Sequence, residues 1–323
     1  MSNGLTPKAP AEAVKEYLNA RESKLSETTI ESQRNRLEAF VEWAEENGLQ
    51  NMSSLSGRDI HYFRMWIEER VEPVILAGHL QTLREFLEFC AWRSVVPNGI
   101  SERVHIPTVE PEEETRNHFL GPDRGKAVLD YLHQFQYASR DHALFTLLWR
   151  TGIRLGTLRS FDVGDFDAGA QLLRIRHRPK TETPLKNGSD AERSISISSS
   201  TSNVILDYIN HHRCDVIDRY DRNPLITTQQ GRVSRGAVRD AVYRVTRPCV
   251  IGSCPHDQDP KTCEAMDSGS PQKCPSSRSP HSIRRGSMAW FLRRGTSSEL
   301  VSDQMDVSRG ILESYWGTGG EWV

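Results

Sequence analysis

The chain has 323 residues, enough for two ordinary domains that each bury a core. Its charged fraction of 26% and hydrophobic fraction of 37% are those of a globular protein, which excludes disorder as the default. The formal net charge of −2 supplies no global basic field, so a nucleic-acid partner has to be met by local patches of charge.

The N-terminal stretch MSNGLTPKAPAEAV has no basic-then-apolar leader. The most apolar stretch, HALFTLLWRTGI, contains His142 and Arg150 and is too short to cross a bilayer. A cytoplasmic protein without a membrane partner is expected. From Ala11 to Ser94 apolar residues recur at helical spacing: Leu37, Phe40, Val41 and Ala44 on one face, Leu80, Leu83, Phe86, Leu87 and Cys90 on another. Thr28 with Glu31 fits a capping box and Gly48 a stop, predicting a helix between them; Ser56 with Asp59 marks a second start. Trp43, Trp66 and Trp92 are expected in the core.

The stretch IPTVEPEEET, from Ile106 to Thr115, has two prolines, four glutamates and no period that could bury a face, and reads as a linker. Pro122 to Phe135 and Ala138 to Arg150 read as helices. LRIRHR, from Leu173 to Arg178, and RSISIS, from Arg193 to Ser198, alternate with the period of strands and predict a hairpin. Its long polar connection holds Lys180 and Lys186, and Arg174, Arg176 and Arg178 share one face, either solvated or turned toward phosphate.

Four of the six cysteines lie in CVIGSCPHDQDPKTCEAMDSGSPQKC, Cys249 to Cys274. In a reducing compartment clustered thiols are metal ligands or catalytic groups more often than disulfides.

Three further stretches carry the functional reading: TGIRLGTLRSFDVGDFD from Thr151, SPHSIRRG from Ser279, and SDQMDVSRGILESYW from Ser302. Their order and separation, with a hairpin after the first and a tyrosine closing the last, resemble the tyrosine recombinase (phage integrase) family. The combination of CPHD and the later cysteines with SPHSIRRG and MDVS most resembles the recombinases of halophilic archaea. The resemblance covers nearly the whole chain. It implies an α+β fold, mainly α with a small β-hairpin or sheet. A helical core-binding (SAM-like) domain is expected at 1–106, a linker at 107–117, and a DNA breaking-rejoining domain at 118–323 with a Cys-rich insert at 249–274. It implies a site-specific recombinase or integrase of a mobile element, with its two domains clamping double-stranded DNA as a homo-oligomer, a tetramer. Arg154, His281 and Arg284 match the family's phosphate-binding set and Tyr315 its nucleophile. Lys186 is the better match for the lysine of the hairpin turn, with Lys180 second.

The residue chemistry agrees. Two guanidiniums stay protonated, fork to two oxygens and stabilise the charge that grows on a phosphodiester in its transition state. A phenol has a pKa of about 10, so Tyr315 must lose its proton during attack, which a positive site favours and His281 can relay. The departing 5′-oxygen needs a proton, which the Lys186 ammonium can supply. A covalent phosphotyrosine conserves the linkage energy, so neither ATP nor a catalytic metal or cofactor is required. Cys249, Cys254, Cys263 and Cys274 would then close a structural zinc site, with His256 as a substitute ligand, against the alternative of free thiols. Cys274 lies seven residues before His281, so fixing this loop would fix the entry to the helix of His281 and Arg284.

The chain departs from the family at three places. Met305-Asp306-Val307 replaces a Leu-Gly-His-like motif, and valine donates no hydrogen bond; Thr157 stands where an acid is common; and the eight residues after Tyr315, WGTGGEWV, hold three glycines and predict no tail helix. The alternative functions are a DNA-binding protein of this fold with impaired cleavage, and relaxation of the type IB topoisomerase kind. The cysteine spacing lacks the pairs of a zinc-finger regulator.

Overall fold

The structure is a computed structural model that describes residues 4–25, 27–71, 73–107 and 119–315; the side chains at 27, 28, 74, 314 and 315 lie outside that description. The chain divides into two compact units, Met1–Glu114 and Thr115–Val323. Most of the stretch read as a linker, and the whole tail after Tyr315, fall outside the described residues.

The first unit is helical: α1 (Pro10–Asn19), α2 (Glu27–Glu46), α3 (Gly57–Glu68) and α4 (Pro73–Trp92). The stripes read from the sequence are its core, with Leu37, Phe40, Ala44, Leu80, Leu83, Phe86, Leu87 and Cys90 all buried. α3 begins at the expected capping box, in which Ser56 and Asp59 bond each other's backbone N–H. α2 starts at Glu27, so Thr28 lies inside its first turn, and the capping box predicted there falls on a side chain outside the described residues. Trp43 is buried, but Trp92, expected in the core, ends α4 and is 78% exposed. The helical stripe had already turned to solvent at that position.

The second unit packs α5 (Pro122–Phe135), α6 (Arg140–Thr151), α7 (Leu155–Ser160), α8 (Ser199–Asp207), α9 (Arg235–Val245) and α10 (Pro280–Arg293) around one apolar core. The predicted hairpin is present as β2 (Leu172–Ile175) and β3 (Arg193–Ser196), antiparallel with Leu173 opposite Ile195; β1 (Phe166–Asp167) adds a third strand on the far side of β2. Both strands are shorter than their alternating patterns. Arg176 and Arg178 lie past the end of β2; Arg176 is exposed, with its Nε 3.6 Å from an Asp165 oxygen. Arg174 pairs with Asp167 at 2.8 Å, while Arg178 forks onto the buried Asp165 at 2.7 and 2.8 Å, bracing the sheet from inside. The described residues end in α11 (Ser298–Met305) and α12 (Arg309–Tyr315), which close a small cluster of Met288, Val301, Met305, Val307 and Leu312. No helix among the described residues is long and apolar enough to cross a membrane.

His142 gives this unit a pH-sensitive core. It is buried in α6, and its Nδ1 accepts the Ala138 N–H at 3.1 Å, which requires a ring with a free lone pair. Burial first, and neighbouring His133 second, push its pKa down to about 4. Between that value and the ordinary histidine value of about 6.5 the unfolded chain binds more protons than the folded one, so stability falls as pH falls through this window. Unfolding free energies from denaturant titrations at pH 7 and pH 4.5 are expected to differ by a His142 contribution on the order of 3 kcal/mol. The acid-side loss should shrink in His142→Gln; an unchanged pH dependence would contradict the assignment.

Candidate active site

The site begins where α6 stops. Gly152 caps it with φ of 62°, a left-handed turn, and a Cβ there would come within 2.4 Å of the Met305 sulfur, so both conformation and space require glycine. The chain then reverses, and Arg154 stands extended at the N-cap of α7. On the facing element, Ser279 caps α10 by accepting the Ser282 N–H, and Pro280 fills the first turn. His281 and Arg284 are three residues apart, which puts them on one helix face. Ser287 anchors that helix by donating to the Trp149 carbonyl at 2.7 Å.

Both arginines converge on the end of α11. Arg284 is 5% exposed; its Nη1 donates to the carbonyls of Gly152 and Met305, each at 2.7 Å, and its Nη2 to that of Asp306 at 3.3 Å. Arg154 donates through Nη2 to the same Asp306 carbonyl at 2.6 Å and through Nη1 to the Asp306 carboxylate. Asp306 holds φ of 53°, the left-handed cap of α11. Arg193, at the start of β3, reaches the same corner: its Nε donates to the Gln304 carbonyl at 2.9 Å, and both Asp306 and Arg154 act on its charge.

Lys186 is exposed on the β2–β3 loop, and the loop is tethered on both sides of it. Leu185 is buried and donates its N–H to His177 Nδ1 at 3.0 Å; Asn187 donates to the Asp306 carboxylate. His281 is exposed, yet its pKa is pushed down to about 4, first by the protein mass near the ring, then by Arg285, Arg284, Lys186 and Arg154. The ring is neutral at pH 7, as a proton acceptor must be. Lys186 is among the cations acting on it. Four of the predicted residues, Arg154, Lys186, His281 and Arg284, therefore share one neighbourhood. Tyr315 ends α12, six residues after that helix begins at Arg309, and its side chain lies outside the described residues.

Val307 is 9% exposed within the small C-terminal cluster, and Ser302 accepts its N–H and donates to its carbonyl. It packs against the apolar side chains of that cluster. Asp306 and Asn187 were the residues missed as site members. Their only signal was adjacency, to the MDV departure and to Lys186.

No family model matches the chain. It is 26% identical over 184 residues to a tyrosine recombinase XerC of Oceanobacillus iheyensis, covering 55% of this chain and 57% of that protein. The structure of the Tn1549 transposon integrase in complex with a circular intermediate DNA matches it with a TM-score of 0.68 at 13% identity, covering 96% of this chain and 95% of that one. In sequence the chain is thus similar to tyrosine recombinases, and in fold to integrases. A lambda integrase dimer bound to a core site shares the fold with a TM-score of 0.66 at 11% identity, covering 98% of this chain and 80% of that one. The chain spans little more than half, 57%, of the length of the first of its curated relatives.

The six cysteines are all free thiols. Cys249, Cys254, Cys263, Cys274 and His256 line one cavity of about 480 Å³. Burial pushes the Cys249 thiol up, and Cys274 and Cys254 are near enough to add to that rise. Among the described residues, however, no group of three or more His, Cys, Asp or Glu is already arranged to hold a metal, and His256 Nε2 pairs instead with Ser276 Oγ at 3.0 Å. The insert is tied at its base without any ion: Thr246 Oγ1 accepts the Arg278 N–H at 2.8 Å, and Arg124 donates to the carbonyls of Thr246 and Ser276.

Proposed function

We propose that this protein is a tyrosine recombinase, a site-specific DNA recombinase or integrase that cleaves and rejoins duplex DNA through a covalent 3′-phosphotyrosine at Tyr315. The observation that carries the reading is the convergence of Arg154 and Arg284 on one acceptor, the end of α11, with Lys186 and neutral His281 in electrostatic reach. Such a cluster suits an anion whose charge grows during reaction. In this reading Arg154 and Arg284 hold the scissile phosphate and His281 accepts or relays the phenolic proton. Lys186 protonates the 5′-oxygen. Residues 1–106 form the core-binding domain, 107–117 the linker and 118–323 the catalytic domain. Double-stranded DNA is the partner, supported by DNA-bound neighbours of the same fold. Recombination then takes place in the cytoplasm on a homo-oligomer, a tetramer, and moves a mobile element.

Incubated with nicked duplexes that trap the intermediate, the chain is expected to give a protease-sensitive, covalently shifted DNA band that EDTA leaves unchanged. Binding without any such band would favour a DNA-binding protein that no longer cleaves.

The four thiols that share the cavity support a structural zinc in the insert, held by Cys249, Cys254, Cys263 and Cys274 after a modest closure of the loop. The ion would stiffen the segment entering α10 and take no part in the chemistry. Purified protein is expected to hold about one zinc per chain by elemental analysis, and stripping it should lower the melting temperature. Metal-free protein with an unchanged melting temperature after chelation would overturn the assignment.

A further inference from the structure

The exposed Lys186 has a neighbour whose contact crosses the second unit: Asn187 Nδ2 donates to both oxygens of the Asp306 carboxylate, at 2.9 and 3.1 Å. Asp306 is a fixed post. Its carbonyl takes bonds from Arg154 and Arg284, its carboxylate is paired with Arg154, and its backbone is set at the cap of α11. The same carboxylate therefore touches the phosphate-holding arginine and the loop of the lysine. Thr157 is buried and brings no charge; the carboxylate paired with Arg154 comes from Asp306 on another element.

We infer that Asn187 and Asp306 are positioning residues that hold the Lys186 turn over the arginine pair, an inference that rests on Lys186 being the general acid. In cleavage the Tyr315 oxygen bonds to phosphorus and the P–O5′ bond breaks; the phenolic proton passes to His281, and the 5′-oxygen takes a proton from Lys186 Nζ. An ammonium on a flexible four-carbon stem protonates a leaving group only while its base is held within reach. The amide of Asn187 does this by donating to a carboxylate that is itself immobile. Alanine at 187 removes the donor, and because the contact is exposed it does so without opening a buried hole.

The test compares two DNA substrates built on a duplex selected from a random-sequence pool by covalent retention on the wild-type chain. One carries the ordinary 5′-bridging oxygen at the cleaved linkage and the other a 5′-bridging sulfur, which leaves without needing a proton. Asn187→Ala is expected to cleave the oxygen substrate at least about tenfold more slowly than wild type. The loss should be smaller than that of Lys186→Ala, with unchanged DNA retention and melting temperature. On the sulfur substrate both variants should return to near the wild-type rate. Asp306→Ala, which also loses the pair with Arg154, should be rescued only in part. Should Asn187→Ala cleave the oxygen substrate as fast as wild type or faster, while Lys186→Ala stays slow and rescuable, the positioning role is wrong although the acid is right. A faster variant would instead mark Asp306 as a stand-in for the phosphate. Failure of sulfur to rescue Lys186→Ala, or no adduct from the wild-type chain, overturns the acid assignment and this inference with it.

Discussion

Arg284→Ala is expected to lower folding stability by about 3 kcal/mol and covalent cleavage by about 10²- to 10³-fold. The guanidinium is 5% exposed and links three carbonyls from two places in the chain, Gly152 at the end of α6 and Met305 and Asp306 at the end of α11. Alanine removes the donor and leaves those acceptors in a site water reaches poorly, so the cost is the desolvation of unpaired oxygens as well as the lost bonds. The catalytic loss has a separate origin, since a positioned cation is stronger when the site is dry and fixed in advance. Arg284→Lys separates the two: it keeps the charge but cannot fork, so it should recover part of the stability and little of the rate. Thermal melts and single-turnover cleavage below both melting points check this; a variant that melts and cleaves like wild type would remove Arg284 from the site.

Gly286→Ala is expected to cost about 3 kcal/mol, which in a unit of this size lowers the melting temperature by about 10 °C. A Cβ at 286 would sit 2.0 Å from the Leu120 carbonyl oxygen and 3.0 Å from the Trp149 ring. The first obstacle is backbone, held in place because Leu120 donates its N–H to the Ser282 carbonyl on the same helix. α10 must therefore shift as a body, and it carries His281 and Arg284. Cleavage should fall further than the loss of folded protein explains, whereas Gly310→Ala, with nothing within 4 Å of its added Cβ, serves as the comparison. A Gly286→Ala chain with normal stability would mean that α10 is not packed as described.

The parts of this architecture that were legible in the sequence are those fixed by local chemistry. α5 announces itself by Pro122 at its first turn and a clean apolar stripe, and α3 by the reciprocal Ser56 and Asp59 cap. That Arg154, His281 and Arg284 come together was legible from the order and separation of the motifs that carry them. What could not be read depends on elements meeting far apart in the chain. Arg178 was read as either solvated or turned toward phosphate because nothing near it in sequence reveals the buried Asp165 it pairs with. The two-residue strand β1 is too short to leave a period. Asp306 looked like a defect in a motif, and only the approach of α11 to Gly152 turns it into the acceptor shared by both arginines. The cysteine loop, which drew attention as a metal centre, is tied by Thr246, Arg278 and Arg124 before any ion is considered.

The most direct measurement is the identity of the residue joined to DNA. Trapped adducts, digested with protease and nuclease and analysed by peptide mass, are predicted to carry a 3′-nucleotide on the peptide containing Tyr315. Tyr315→Phe should bind the same duplex and give no adduct. A nucleotide attached to any other residue, or an adduct that persists in Tyr315→Phe, would contradict the assignment.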